Sequence, residues 1–238
     1  MRFHEKIFAE QYDRRLSDEG YPGNIAAHII KELSGAVRVF DVGAGTGFIA
    51  LPLAENGFQV KAIDPSKEML SILERKIEGR NLNLKIINES WESFVDEPAD
   101  AIISVHSIYP MKDPNYAISK MMRNADKSVI VIRKSVQDES VSDIIRYRFD
   151  KKRCSQIADE DVKSILKNAK ISFKAYDIIQ TRLSRFNDIN DEIEYYISHF
   201  GLTDDNIKEI SDIILSKTEK SENDFFYRTV YKDCMIVF

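Results

Sequence analysis

Apolar positions between residues 36 and 133 alternate between two spacings. Runs rich in Val, Ile and Phe at 37–42, 58–63, 82–87, 99–105 and 128–132 read as strands. The stretches between them at 48–55, 66–77 and 115–123 carry apolar residues three and four apart, the spacing of an amphipathic helix. The run at 99–105 is almost wholly apolar, as a strand covered on both faces must be. Ser66 stands at the N-cap of the second helix, whose inner face holds Met69, Leu70, Leu73 and Ile77, and Gly57 stands where the first helix stops. Strand–helix–strand alternation of this kind builds a parallel sheet with helices on both faces.

The flanks follow other patterns. Residues 3–34 read as two helices divided by Gly20-Tyr21-Pro22-Gly23, and 138–168 as two charged helices. A long strand is expected at 171–186, a helical pair at 188–218 around Gly201-Leu202-Thr203-Asp204, and a last strand at 225–238. The expectation is one α/β domain over 1–238 with a mostly parallel, seven-stranded sheet and helices on both faces. Residues 1–35 form a helical cover, 36–133 the core and 134–238 a C-terminal part. The helical insertion at about 187–220, before the last strand, is a candidate lid.

The formal net charge of −5 makes the chain a poor non-specific binder of nucleic acid, which needs surplus Lys and Arg. Positive charge is nevertheless concentrated in 133–185, with thirteen Lys and Arg against eight Asp and Glu, most densely at Arg146, Arg148, Lys151, Lys152 and Arg153. A solvated helix face accounts for such a run, and an anionic acceptor or an RNA phosphate is the functional alternative. No apolar run approaches the ~18 residues that cross a bilayer. The charged start, Met1-Arg2-Phe3-His4-Glu5-Lys6, lacks a signal-peptide core, so a cytoplasmic protein is expected, with no membrane contact. Cys154 and Cys234 have no metal-ligand spacing; reduced thiols and no metal centre are expected.

The chemistry lies in Asp41-Val42-Gly43-Ala44-Gly45-Thr46-Gly47, between the first strand and the first core helix. An open α/β sheet binds ligands there, beyond the carboxyl ends of its strands. Counted from Gly43, the third glycine of the dinucleotide fingerprint falls on Phe48, and no Gly-Lys-Ser/Thr follows as in a phosphate-binding loop. Asp41 ends the preceding strand, where its charge repels a pyrophosphate and suits a cationic ligand. Asp64 closes the second strand about 20 residues on, where a carboxylate accepts hydrogen bonds from a ribose diol.

Residues 39–47, Asp64-Pro65-Ser66-Lys67-Glu68-Met69-Leu70 and Ala99-Asp100-Ala101-Ile102-Ile103-Ser104 together resemble the first, second and fourth-strand motifs of the class I methyltransferases that depend on S-adenosylmethionine (SAM). The resemblance covers 36–133 and implies a Rossmann-like fold, SAM as methyl donor and S-adenosylhomocysteine (SAH) as product. It implies that Asp41, Gly43, Ala44, Gly45 and Gly47 serve the methionine end, that Asp64 and Pro65 lie at the ribose, and that Met69 faces the adenine. The family often places an acidic residue after the third strand. This chain has Ser90 there, followed by Trp91, with Glu89 and Glu92 close by. Trp91 stacks on adenine or plugs the sheet edge.

Methyl transfer from a sulfonium needs alignment more than covalent catalysis, and needs a base only where the nucleophile loses a proton. The loop after the fourth strand, His106-Ser107-Ile108-Tyr109-Pro110, supplies His106 as a candidate base and Tyr109 as a candidate orienting group. His106 contacting the cofactor and Tyr109 packing are the structural alternatives. Tyr12 and Tyr21 are candidates to cover the cofactor carboxylate, while His4, His28 and His199 read as surface residues. The loop lacks the Asn/Asp-Pro-Pro-Tyr/Phe pattern of enzymes that methylate base amines. A small-molecule acceptor is expected. The alternatives are an RNA or protein acceptor engaged through 146–153, and a SAM-binding protein without transferase activity.

Overall fold

In a computed structural model, residues 4–95, 97–134, 140–151, 157–220 and 225–238 are described. Five parallel strands form the core: β1 (Arg38–Val42), β2 (Gln59–Ile63), β3 (Leu84–Ile87), β4 (Ala99–Val105) and β5 (Ala125–Arg133). Two long strands, β6 (Lys174–Phe186) and β8 (Phe225–Val237), continue the sheet antiparallel in the order β3-β2-β1-β4-β5-β8-β6. These are the seven expected strands. An eighth, β7 (Glu219–Lys220), is a two-residue pairing on the edge of β8, too short to leave a periodicity in the sequence.

Helices cover both faces. On one, α2 (Ile25–Glu32), α3 (Ala50–Glu55) and α4 (Lys67–Ile77) pack Ile29, Leu53 and Leu73 against Val39, Ile103 and Val131. On the other, α5 (Pro114–Asn124) and α7 (Asp159–Asn168) pack Ile118, Met121, Val162 and Leu166 against Phe40, Ile102 and Ile130. The alternation along each central strand therefore sends consecutive residues into two separate cores, which is why the middle of each strand is largely apolar. Each fully buried aliphatic side chain contributes about 1.5–3 kcal/mol. Helix starts are set locally: Ser66 Oγ accepts the Met69 N–H at 3.1 Å, and Asp113 Oδ1 accepts the Tyr116 N–H at 3.0 Å ahead of Pro114.

The ribbon formed by β6 and β8 stands behind the site and places Asp233 against His106. β8 pairs with β5 only from Val237 to Asp233, opposite Val129 to Arg133, whereas it pairs with β6 along its full length. Residues 225–232 of β8 and 179–186 of β6 therefore rise as a two-stranded ribbon past the carboxyl end of β5. A third apolar cluster joins this ribbon (Phe186, Tyr227) to α6 (Val141–Arg148), α8 (Ile189–Phe200) and α9 (Ile207–Lys217). The insertion at 187–220 thus has its own core. α1 (Lys6–Asp18) crosses the near side, packing Ala9 and Tyr12 on Met69 and Ile72 of α4.

Candidate active site

The carboxyl ends of β1, β2 and β4 open into a cavity of about 610 Å³. Its lining brings together Asp41, Gly43, Ala44, Gly45, Asp64, Pro65, Met69, Ser90, Trp91, His106, Tyr109 and Tyr21. These are all the expected site residues but one. Gly47 lies outside the lining: a Cβ there meets Leu73 Cδ1 at 2.3 Å, so this glycine serves close packing of the loop on α4. Gly43 serves the cavity floor, where a Cβ meets the Ser107 Cβ at 2.2 Å and φ is +75°.

The loop's hydrogen bonds decide what it can hold. The Gly43 and Ala44 N–H groups both donate to the Ile63 carbonyl, Gly45 N–H donates to Asp64 Oδ2 at 2.9 Å, and Gly47 N–H donates to the Ala44 carbonyl. Phosphates bind where such amides are free, and here four are spent within the fold. Acceptors face the crevice instead. Asp41 is 2 % exposed; the Ala50 N–H bonds its carboxyl, yet Oδ2 has no partner. Burial first, and the nearby Asp64 second, push the Asp41 pKa up to about 7. Asp64 is raised by burial, opposed by the N–H groups of Ser66 and Gly45 that its oxygens accept. Each carboxylate oxygen keeps a further lone pair for a ligand hydroxyl. This donor-poor, acceptor-rich crevice fits a ligand bringing hydroxyl and ammonium donors, and disfavours a pyrophosphate.

At the far end, Trp91 is 3 % exposed, donates Nε1–H to the Ala117 carbonyl at 3.1 Å and stacks on Phe94. It is core and cavity wall at once, which leaves both readings of this residue in place. Glu92 also lines this end; its Oε1 accepts the Lys112 N–H at 3.4 Å. His4, read from the sequence as a surface residue, joins the lining with Tyr12, Thr46 and Phe48.

The other end is built around His106, a non-glycine residue held at φ +53°. Such backbone costs of order 1–3 kcal/mol and persists where surrounding structure over-determines it. His106 Nδ1 lies 3.4 Å from Tyr109 Oη, which also accepts the Arg133 N–H. His106 Nε2 lies 3.5 Å from Asp233 Oδ2, within ion-pair reach but without hydrogen-bond geometry. Burial lowers the His106 pKa, and Asp233 partly restores it, so the imidazole is neutral at pH 7. Burial raises the fully buried Asp233, but His106, Arg133 and Arg182 outweigh it and hold the carboxyl below its ordinary value. The sequence reading missed Asp233, Arg133, Arg182 and Tyr231. The available signal was an acid inside an apolar strand end, Asp233 before Cys234-Met235-Ile236-Val237.

Fold and crevice together define an open α/β architecture with a cavity at its strand switch point. The model of the methyltransferase domain family matches residues 40–132. An uncharacterized methyltransferase of Staphylococcus carnosus is 28% identical over 153 residues, 60% of this chain and 72% of its own. The glycine/sarcosine N-methyltransferase of Aphanothece halophytica is 31% identical over 101 residues, 40% of this chain and 38% of its own. The chain spans 35% and 28% of the length of two further curated relatives. The magnesium protoporphyrin IX methyltransferase of Synechocystis, solved with SAH bound, shares the fold at TM-score 0.58 and 12% identity, covering 98% of this chain and 96% of that one. Residues 40–132 thus match the methyltransferase domain family, and the chain shares the fold of an enzyme solved with SAH bound.

Proposed function

We propose that this chain transfers the methyl group of SAM to a small-molecule acceptor whose nucleophile lies beside Tyr109 and His106. SAM supplies a methyl group activated on a sulfonium. Asp64 accepts from the ribose hydroxyls, Asp41 Oδ2 faces the positively charged methionine end, and Met69 with Trp91 flanks the base. Tyr21, which lies edge-on to Phe48 at 5.1 Å, covers the cavity and excludes water.

Where the nucleophile carries a proton, Tyr109 and His106 remove it. Asp233 faces Nε2, which favours the tautomer with its hydrogen there and leaves the Nδ1 lone pair toward Tyr109 Oη. A proton passing from the acceptor to Tyr109 and on to Nδ1 makes an imidazolium that Asp233 stabilises. His106 and Tyr109 are thus the catalytic pair in this reading, and Asp233 a positioning residue.

One observation carries the choice of a small acceptor. The described part of the basic stretch has partners within its own helical layer, with Arg148 and its partner on the exposed surface. Arg148 pairs with Glu209, Lys151 Nζ donates to the Gly201 carbonyl at 3.4 Å, and the Arg146 guanidinium lies over the Phe200 ring at 5.0 Å. Lys152, Arg153 and Cys154 lie outside the described residues. The volume of the cavity is that of a small-molecule site. The test is to incubate the protein with methyl-labelled SAM and a metabolite extract, then an RNA and protein extract. Label is expected in a low-molecular-mass product and lost in His106→Gln. Label confined to RNA or protein, or no transfer at all, contradicts the reading.

A further inference from the structure

A second cavity, of about 130 Å³, lies beside the first and shares Tyr12 with it. It is built by α1, the first turn of α6, α8 and the ribbon, without one residue of the segment 40–132 that matches the methyltransferase domain family. The large cavity draws most of its lining from that segment. One face of β8 leads from the second cavity to the proposed catalytic pair. Tyr227, Thr229 and Tyr231 line the cavity, and two-residue spacing puts them on the strand face of Asp233, which stands 3.5 Å from His106. At about 3.4 Å per residue, Tyr231 lies ~7 Å and Thr229 ~14 Å along the strand from Asp233.

The polar groups around this cavity are partly committed. Arg15 donates to Glu192 through both terminal nitrogens and to Glu19 Oε1 through Nε, and Ser184 Oγ donates to the same Glu19 oxygen at 2.7 Å. Glu19 Oε2 and the hydroxyls of Tyr195, Thr229 and Tyr231 have no hydrogen-bond partner among the described residues and are open to the cavity. The Glu19 side chain is only 6 % exposed. Charges cancel around it: Arg15 with Glu192, Arg182 with Glu19, and Arg133 with Asp233. Burial raises the Tyr195 and Tyr231 pKa values and keeps both hydroxyls protonated.

A charged ligand group entering here leaves water without finding a counter-charge. An uncharged group that donates a hydrogen bond meets a buried carboxylate oxygen, which accepts only, and hydroxyls that donate or accept. A cavity of about 150 Å³ takes benzene, so this one holds a group of about five heavy atoms and not a whole acceptor.

We propose that the second cavity receives the far end of the methyl acceptor, an uncharged group whose hydroxyl or amide N–H donates to Glu19 Oε2 while the nucleophile lies at Tyr109 and His106. An acceptor bound in both places passes Tyr12. This rests on the methyltransferase reading above and adds the acceptor's chemical class, with Glu19 as a specificity-determining residue.

The test uses the full chain, its Thr229→Leu variant, which fills the cavity, and Glu19→Gln, which keeps its volume. Circular dichroism verifies folding, and calorimetry measures SAH affinity. Propionamide, propionate, isobutylammonium and butanone, matched in size, are titrated into the SAH complex by NMR. Propionamide is expected to bind tenfold or more tightly than each of the others. That advantage should vanish in Thr229→Leu, and its margin over butanone in Glu19→Gln, with SAH affinity within about twofold of wild type. Equal binding of the four, tighter binding of either ion, water alone in the cavity, or a preference unchanged in Thr229→Leu overturns the proposal while SAH binding stands. Equal transfer of label from the metabolite extract by wild type and Thr229→Leu also overturns it. Failure of wild type to bind SAH removes the methyltransferase reading itself.

Discussion

His106 on the loop after β4 and Asp233 on β8 face each other across 3.5 Å, although 127 positions separate them in the chain. With Asp233 deprotonated and His106 neutral at pH 7, the pair is set to receive a proton at Nδ1. The transfer rate should fall as pH drops through the His106 pKa, which burial places below its ordinary 6.5. Asp233→Asn removes the charge that supports the imidazolium, so this acid limb should move to lower pH while kcat drops about tenfold or more. A pH–rate profile of both proteins checks this, and an unmoved limb in Asp233→Asn contradicts it.

Asp41 makes a linkage prediction of the opposite sign. Its pKa rises from an ordinary 3.8 to about 7 on folding. Between those values the unfolded chain has lost the proton that the folded one keeps. Its stabilising contribution is therefore full below about 4 and lost as pH rises to about 7. Asp41→Asn should raise the melting temperature at pH 8 by a few degrees, have little effect at pH 4, and weaken SAM binding. Melting curves at both pH values decide it; a lower Tm at pH 8 contradicts the assignment.

The same group should release a proton when a cationic ligand arrives, because a neighbouring positive charge favours the carboxylate. SAM binding at pH 6.5, measured calorimetrically in two buffers of different ionisation enthalpy, should show proton release that Asp41→Asn abolishes. Buffer-independent heats in the wild type contradict this.

Gly43 and Gly45 both have positive φ, but only Gly43 is crowded. Gly45→Ala should cost about 1–2 kcal/mol for the left-handed conformation alone. Gly43→Ala adds a collision with Ser107, whose Oγ donates to the Val42 carbonyl beneath the loop, and should cost more and impair SAM binding. Denaturant unfolding ranks the two, and equal costs contradict the packing argument.

The parts of this structure legible in the sequence were those where burial left one residue type possible. β4 reads as a largely apolar run because two cores sandwich it, and Asp41, Asp64 and the glycines stand out against such runs. Gly47 was legible as a glycine but not as a packing residue, since Leu73 comes from the next helix. The ribbon was legible as two strands but not as the support behind His106. Arg182 and Tyr231 occupy ordinary positions in alternating strands, and only the register of β6 on β8 lifts them past the end of β5, where Arg182 stands over Tyr21 and Tyr231. The left-handed backbone of His106 left no mark in residue type.

Whether the crevice bounded by Asp41 and Asp64 holds SAM is tested most directly by calorimetric titration of wild type and Asp64→Ala with SAM. Saturable binding is expected in the wild type, with at least a tenfold loss, about 1.4 kcal/mol, in a variant that keeps its fold. Equal affinity in both proteins, or no binding of SAM alongside binding of a nicotinamide dinucleotide, would contradict it.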